Sequence, residues 1–397
     1  MSALNSSLYW SLPSAIQFAE KVRHATLKYR VIVLSFPEFM CVNPNKTIEK
    51  ALTNAGIHEA IILNIPDGMN ISAEVGTHFS ASTMPADSLA HHVCGRAQVV
   101  VLHAKGKKAQ ENCDSYASDF LHAIGKSAGD VRLIITLRSG EYQSDEAKGD
   151  FKIIAFDGWI NSSEMQAYVY QRMVSYDGPG STNLYKNLVA EYASFDPSLA
   201  ERLSQMEPST LLNLPDCLSQ IVSEDALRWS KDGWVHGTTC KSSKEVHSLR
   251  EWYLVTHSPK QADKNRKLLE KRFWRACVKS LTPWLEERRL LVIEVLKKPI
   301  DRIEAKSGEK NKIQKKLGDK YVLVSRDELE FNDLVFRSYG EEFRESGLTE
   351  KERAAVNICH MAKKVRDDLS HLRKPDVEHV KNLIFAMDQL FPAEVAI

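Results

Sequence analysis

Near its C-terminus the chain reads VRDDLSHLRKP, from Val365 to Pro375. Arg366 and His371 stand five residues apart, about 140° around a helix axis, so they flank one edge and do not stack. Asp367 and His371, four apart, share a face on which the carboxylate can orient the imidazole. Placed opposite a second copy across a two-fold axis, this stretch gathers two Arg and two His in one cleft. Such a cleft suits metal-free RNA cleavage: His takes the 2′-hydroxyl proton or protonates the leaving oxygen, while Arg neutralises charge building on the phosphate. The competing reading is a solvated helix end whose Arg and His bond local carbonyls and acids.

The elements around these residues are helical. TEKERAAVNICHMAKKVRDDLSHL opens with a capping box, Thr349 with Glu352, and carries an apolar stripe through Val356, Cys359, Val365, Leu369 and Leu372. Pro375 ends it. DVEHVKNLIFAMDQLF then places Val377, Val380, Leu383, Ile384, Met387 and Leu390 on one face, so the two segments make a helical hairpin within a bundle.

The motif R-x4-H at a helix end, with a polar residue after the Arg, resembles the HEPN family of all-α proteins. RDDLSHLRKP is similar to the family's R-N-x-L-A-H-x-x-P variant, with Arg366, Asp367, Leu369, His371 and Pro375 at the matching positions. Asp367 stands where Asn is commoner, and Ser370 where Ala is. The resemblance implies a metal-independent endoribonuclease that needs no cofactor for cleavage, works as a homodimer and takes RNA, tRNA among the candidates. Arg366 and His371 would be catalytic, with Asp367 beside them. It also implies partner proteins of a bacterial anti-phage defence system. The alternative is a non-catalytic adaptor within such a system.

The first 175 residues read differently. RVIVLSF (30–36), EAIILNI (59–65), AQVVVLH (97–103), VRLIITL (131–137) and KIIAF (152–156) are near-continuous apolar runs with helical stretches between the earlier ones. That pattern predicts a mostly parallel sheet covered on both faces, hence an α/β domain. Ligands of such sheets bind beyond the carboxyl ends of the strands. The loop after the first strand, FPEFMCVNPNKTIEK, keeps the Lys46 and Thr47 of a phosphate loop, but Met40 and Asn45 occupy its two glycine positions. It reads either as a degenerate site for weak ATP binding or as an Asn-Pro-Asn turn that caps the next helix. The third strand ends in His103, where an acid would serve Mg²⁺, and Arg138 follows the fourth. Here the chain resembles, over roughly 30–175, the STAND branch of AAA+ NTPases. The resemblance implies a P-loop-like fold with Lys46, Thr47 and Arg138 toward the nucleotide; with the glycines and acid replaced, a pseudo-NTPase is expected.

These readings place an α/β domain at 1–176, a Trp-rich helical connector at 183–300, and a HEPN-like region at 301–397 whose bundle takes in helices from 264 onward. SYDGPGST (175–182) marks the first boundary, and Trp229, Trp234, Trp252, Trp274 and Trp284 anchor the connector. Pro283, after Thr282, is expected to start a helix. KSGEKNKIQKKLGDK (306–320) reads as an exposed loop or charged helix.

Composition bounds the rest. A net charge of +1 gives no global pull toward nucleic acid or membrane, so any such contact must be local. Seven scattered cysteines without a C-x-x-C fit reduced thiols, and no metal site is expected. The expectation is a cytoplasmic protein with no membrane contact.

Overall fold

The computed structural model describes residues 6–392 apart from 40–43, 59, 67–69, 94–98, 105–111, 126–130, 139, 141, 143, 175–181, 223–225, 308–312, 318–319 and 345–346. The chain divides into two compact units, each discontinuous in sequence. One comprises residues 1–168, 193–203 and 218–262; the other comprises 169–192, 204–217 and 263–397. The Trp-rich span read as a connector therefore contributes to both units, and the 175–181 linker lies outside the described residues.

The N-terminal unit is built on a six-stranded sheet. Its strands are β1 (Val31–Ser35), β2 (Ala60–Ile65), β3 (Val99–Ala104), β4 (Arg132–Leu137), β5 (Glu146–Lys148) and β6 (Phe151–Ala155), in the spatial order β2-β3-β4-β1-β6-β5. Five are parallel; only β5, a short edge strand that the apolar pattern could not mark, runs antiparallel. Val31 and Val33 enter a core with Ile71, Val75, Leu89 and Phe120 from the helices α1 to α3 (Ile71–His78, Ala86–Val93, Cys113–Gly125). Ile32 and Leu34, equally buried, face the other side by the two-residue period of a strand. There Phe18 packs edge-on to Phe36 and Phe156, with ring centroids 5.9 and 4.9 Å apart. Burial on both faces is why β1, β3 and β4 read as continuous apolar runs.

The order fixes where a ligand could lie. β1 is flanked by β4 in register, Ser35 opposite Leu137. After β1 the chain leaves toward β2 at one edge, whereas after β4 it leaves toward β6 on the other side. The carboxyl ends of β1 and β4 thus form a topological switch point.

The C-terminal unit is helical, with one hairpin of strands. α4 runs from Ala262 to Val295, through Pro283 rather than beginning at it. Leu281 and Leu285, buried on either side of the proline, hold the helix together despite the one hydrogen bond that Pro283 removes. α5 (Lys297–Ser307) follows, then β7 (Ile313–Leu317) and β8 (Lys320–Val324) pair antiparallel. This hairpin replaces the loop or charged helix expected for the described part of 306–320. Ile313 is buried and Lys315 is neutralised by Asp333 at 2.7 Å, so its lysine content hid a strand pattern.

α6 (Phe331–Ser338), α7 (Glu350–Ser370) and α8 (Val377–Leu390) complete the unit. Thr349 and Glu352 form the expected capping box, and Asp376 caps α8 by accepting from the His379 N–H. Val380, Leu383, Ile384 and Met387 are buried as read. Leu372 is not: it lies past the end of α7 in a left-handed conformation (φ 56°) and is exposed. No helix among the described residues is long and apolar enough to cross a membrane.

Candidate functional sites

Two places in the fold bring chemistry-bearing residues together, one in each unit. In the N-terminal unit it is the switch point. Phe36 donates its N–H to the Leu137 carbonyl at 2.8 Å, and Gly140 donates to the Phe36 carbonyl at 3.0 Å, so the segments after β1 and β4 run side by side. Arg138 lies between these two bonds. It is half-buried, has no side-chain partner among the described residues, and burial lowers its pKa. Lys46 and Thr47 fall in the first turn of the helix Pro44–Asn54; their side chains lie outside the described residues, as does Met40.

What covers the loop after β1 was invisible in the sequence. Glu38 donates its N–H to the Val235 carbonyl at 2.7 Å, and its carboxylate meets His236 Nδ1 at 2.8 Å and Lys231 Nζ at 3.2 Å. Partial burial works to raise the Glu38 pKa, but the bonds from His236 and Lys231 outweigh it and hold the carboxyl below its ordinary range. Arg228 lies over the Phe39 ring at 5.2 Å and over Trp229 at 5.0 Å. Gly237, at φ 78°, presses so close that a Cβ there would stand 1.8 Å from the Phe39 carbonyl oxygen.

A carboxylate, Glu38, lies in the described part of the loop after β1, bonded to His236 and Lys231. At the end of β3, His103 is buried and its Nδ1 lies 2.9 Å from Thr136 Oγ1, so the position that would serve Mg²⁺ holds an imidazole already bonded within the sheet. No group of three or more His, Cys, Asp or Glu suited to a metal occurs among the described residues.

Beneath this cover lies a buried pair. His247 Nδ1 accepts from the Leu249 N–H at 3.2 Å, which leaves Nε2–H to donate to Asp196 Oδ2, also at 3.2 Å. Trp229 lies against the His247 ring at 4.5 Å and Phe195 meets it edge-on at 5.4 Å. Burial pushes the Asp196 pKa up, yet the bond from His247 and nearby positive charge leave it below the usual carboxylate range. A depressed folded-state pKa stabilises above the unfolded value near 3.9 and loses that contribution as pH falls through the folded one. Thermal stability is therefore expected to drop on acidification below about pH 4, and Asp196→Asn should flatten that limb of a melting-versus-pH series. An unchanged acid limb would remove Asp196 from the account.

In the C-terminal unit the site is the end of α7. Arg366 Nη1 lies 3.0 Å from Glu330 Oε2, and Nη2 lies 3.8 Å from Glu286 Oε1. Asp367 is paired with Lys363 at 3.0 Å, one helical turn back, and not with His371. His371 is the C-cap of α7, its N–H donating to the Asp367 carbonyl at 3.1 Å. Its ring is exposed and has no partner among the described residues. Trp274 on α4 donates its indole N–H to the Leu369 carbonyl at 3.0 Å and so fixes this helix end. The structure thus puts Arg366 and His371 on one helix terminus but engages the guanidinium with two acids that the sequence reading had not assigned.

The N-terminal unit is a mostly parallel α/β sheet, with a helix carrying Lys-Thr after its first strand. No protein-family model matches the chain, and no curated protein matches it. Solved structures similar to it include Drosophila ORC bound to DNA, at 11% identity and a TM-score of 0.33 over 98% of this chain and 73% of that one. Drosophila ORC bound to GC-rich DNA and Cdc6 matches at 10% identity and a TM-score of 0.32, covering 96% and 70%. The FIGL-1 AAA domain matches at 10% identity and 0.29, covering 68% of this chain and 91% of that domain. At such scores the fold is carried by the strand order, not by these neighbours.

Proposed function

We propose that the chain is a metal-independent endoribonuclease of HEPN type whose cutting residues lie in the C-terminal unit, with a degenerate STAND-like N-terminal unit as its regulatory part. The observation that supports it most is His371: an exposed, uncommitted imidazole at a helix end, five residues from an arginine. In this reading two copies pair across α7. One His371 accepts the 2′-hydroxyl proton as the 2′-oxygen attacks phosphorus. The other His371, protonated, gives a proton to the departing 5′-oxygen, and the Arg366 pair neutralises the phosphorane oxygens. The product is a 2′,3′-cyclic phosphate. The setting would be cytoplasmic anti-phage defence, with further protein partners supplying the trigger.

The end chemistry tests this. Purified protein incubated with total tRNA in excess EDTA should leave 2′,3′-cyclic phosphate ends. Ends bearing a 3′-hydroxyl, or RNA left intact at every protein concentration, would sink it.

One observation favours a second reading. The ion pairs from Glu330 and Glu286 to Arg366 are what a structural helix end would also show, and on that basis the chain is a non-catalytic adaptor with a pseudo-NTPase domain. In either case ATP, if it binds near Lys46, Thr47 and Arg138, acts as a ligand and not as a substrate. Neither a cradling glycine pair nor an acid for Mg²⁺ is present in the sequence at the expected positions.

A further inference from the structure

The C-terminal unit has an open cleft of about 330 Å³ lined by Ile303, Phe336, Arg337, Tyr339 and Gly340. Its two aromatic residues lie in water: Phe336 is 75% exposed and Tyr339 is 63% exposed. They stand three residues apart, Phe336 on α6 and Tyr339 as its C-cap, and so share a face. The Tyr339 ring makes a T-shaped contact with His360 of α7, with centroids 5.7 Å apart. Arg337, between them in sequence, also lines the cleft and donates to the Gln314 carbonyl oxygen of β7, which ties the cleft to the lysine-bearing hairpin. Large aromatic faces left in water beside a guanidinium are costly for a surface with no ligand, and they are what a base-stacking platform requires.

Charge is distributed to match. Residues 297–340 hold eleven Lys and Arg against eight Asp and Glu, whereas the rest of the chain holds 42 against 44. That stretch thus carries three more basic than acidic residues.

The cleft is also aligned with the candidate cutting residues. Glu330, the N-cap of α6, meets Arg366 of α7, while Tyr339 at the other end of α6 meets His360 of α7. The two contacts show that α6 and α7 run antiparallel there. Six residues of helix, about 9 Å of rise, separate His360 from Arg366.

We infer that Phe336 and Tyr339, in the cleft that Arg337 also lines, form a stacking subsite for single-stranded RNA that leads the strand along α7 toward Arg366 and His371. The inference rests on the proposed RNA reading of that helix end. Binding is tested by fluorescence anisotropy of a labelled single-stranded RNA 12-mer, in the His371→Ala background so that the probe stays whole. The variant F336A/Y339A should bind about 10- to 100-fold more weakly with an unchanged melting temperature, and F336Y/Y339F should retain binding because it keeps both rings. Equal affinity in F336A/Y339A, no binding by the parent, or equal binding of a duplex whose bases are already stacked would overturn it. The two proposals fail separately. RNA held through this cleft but left uncut by the wild type defeats cleavage and leaves the subsite; cleavage undiminished in F336A/Y339A does the reverse.

Discussion

Gly237→Ala should destabilise the N-terminal unit by about 3 kcal/mol or more. Gly237 has φ 78°, a conformation that costs an L-residue roughly 1–2 kcal/mol on its own. The added methyl would also sit 1.8 Å from the Phe39 carbonyl oxygen, a backbone atom that no rotamer change can remove. Relief requires separating Gly237 from the loop after β1, which strains the Glu38–Val235 backbone bond and the Glu38–His236 pair. Chemical denaturation followed by tryptophan fluorescence checks this directly, because Trp234 lies in the displaced segment and Trp229 shortly before it. A loss below about 1 kcal/mol would mean that the 233–238 segment is not held against the loop as described.

The position of that segment also marks the limit of what the sequence could tell. The five parallel strands were legible as apolar runs: β1, β3 and β4 are buried along nearly their whole length, as VIVLS shows, while the edge strand β2 keeps an apolar run although Ile62 and Asn64 are exposed. The ends of α7 were legible because Thr349 with Glu352, and Pro375 after the helix, are local signals. Glu38 with His236 was not: 198 residues separate them, and neither lies in a motif. The β7–β8 hairpin was missed because its lysines mask alternation, and Pro283 misled because buried leucines on both sides override a local helix signal. At the candidate site the same division holds. Arg366 and His371 were found from their spacing at a helix end with Leu369 and Pro375 in place around them, whereas Glu330 and Glu286, which engage the arginine, come from other helices with no sequence mark. Lys46, Thr47 and Arg138 were read from strand–loop–helix order; the fold places Arg138 beside the loop after β1.

The second large effect is expected at His371. Loss of a general acid–base costs about 10²- to 10⁴-fold, and in the proposed dimer one substitution removes the imidazole from both copies. His371→Ala should not perturb folding, since the ring is exposed and bonds nothing among the described residues. Arg366→Ala is a less clean probe, because it also frees Glu330 and Glu286 and so mixes packing with chemistry.

The most direct measurement is therefore the initial rate of tRNA cleavage in EDTA by the wild-type protein and by His371→Ala, prepared together and matched for melting temperature. The account predicts cleavage by the wild type and a loss of at least about 100-fold in the variant. Equal rates in the two proteins would contradict it and leave the end of α7 a structural helix terminus.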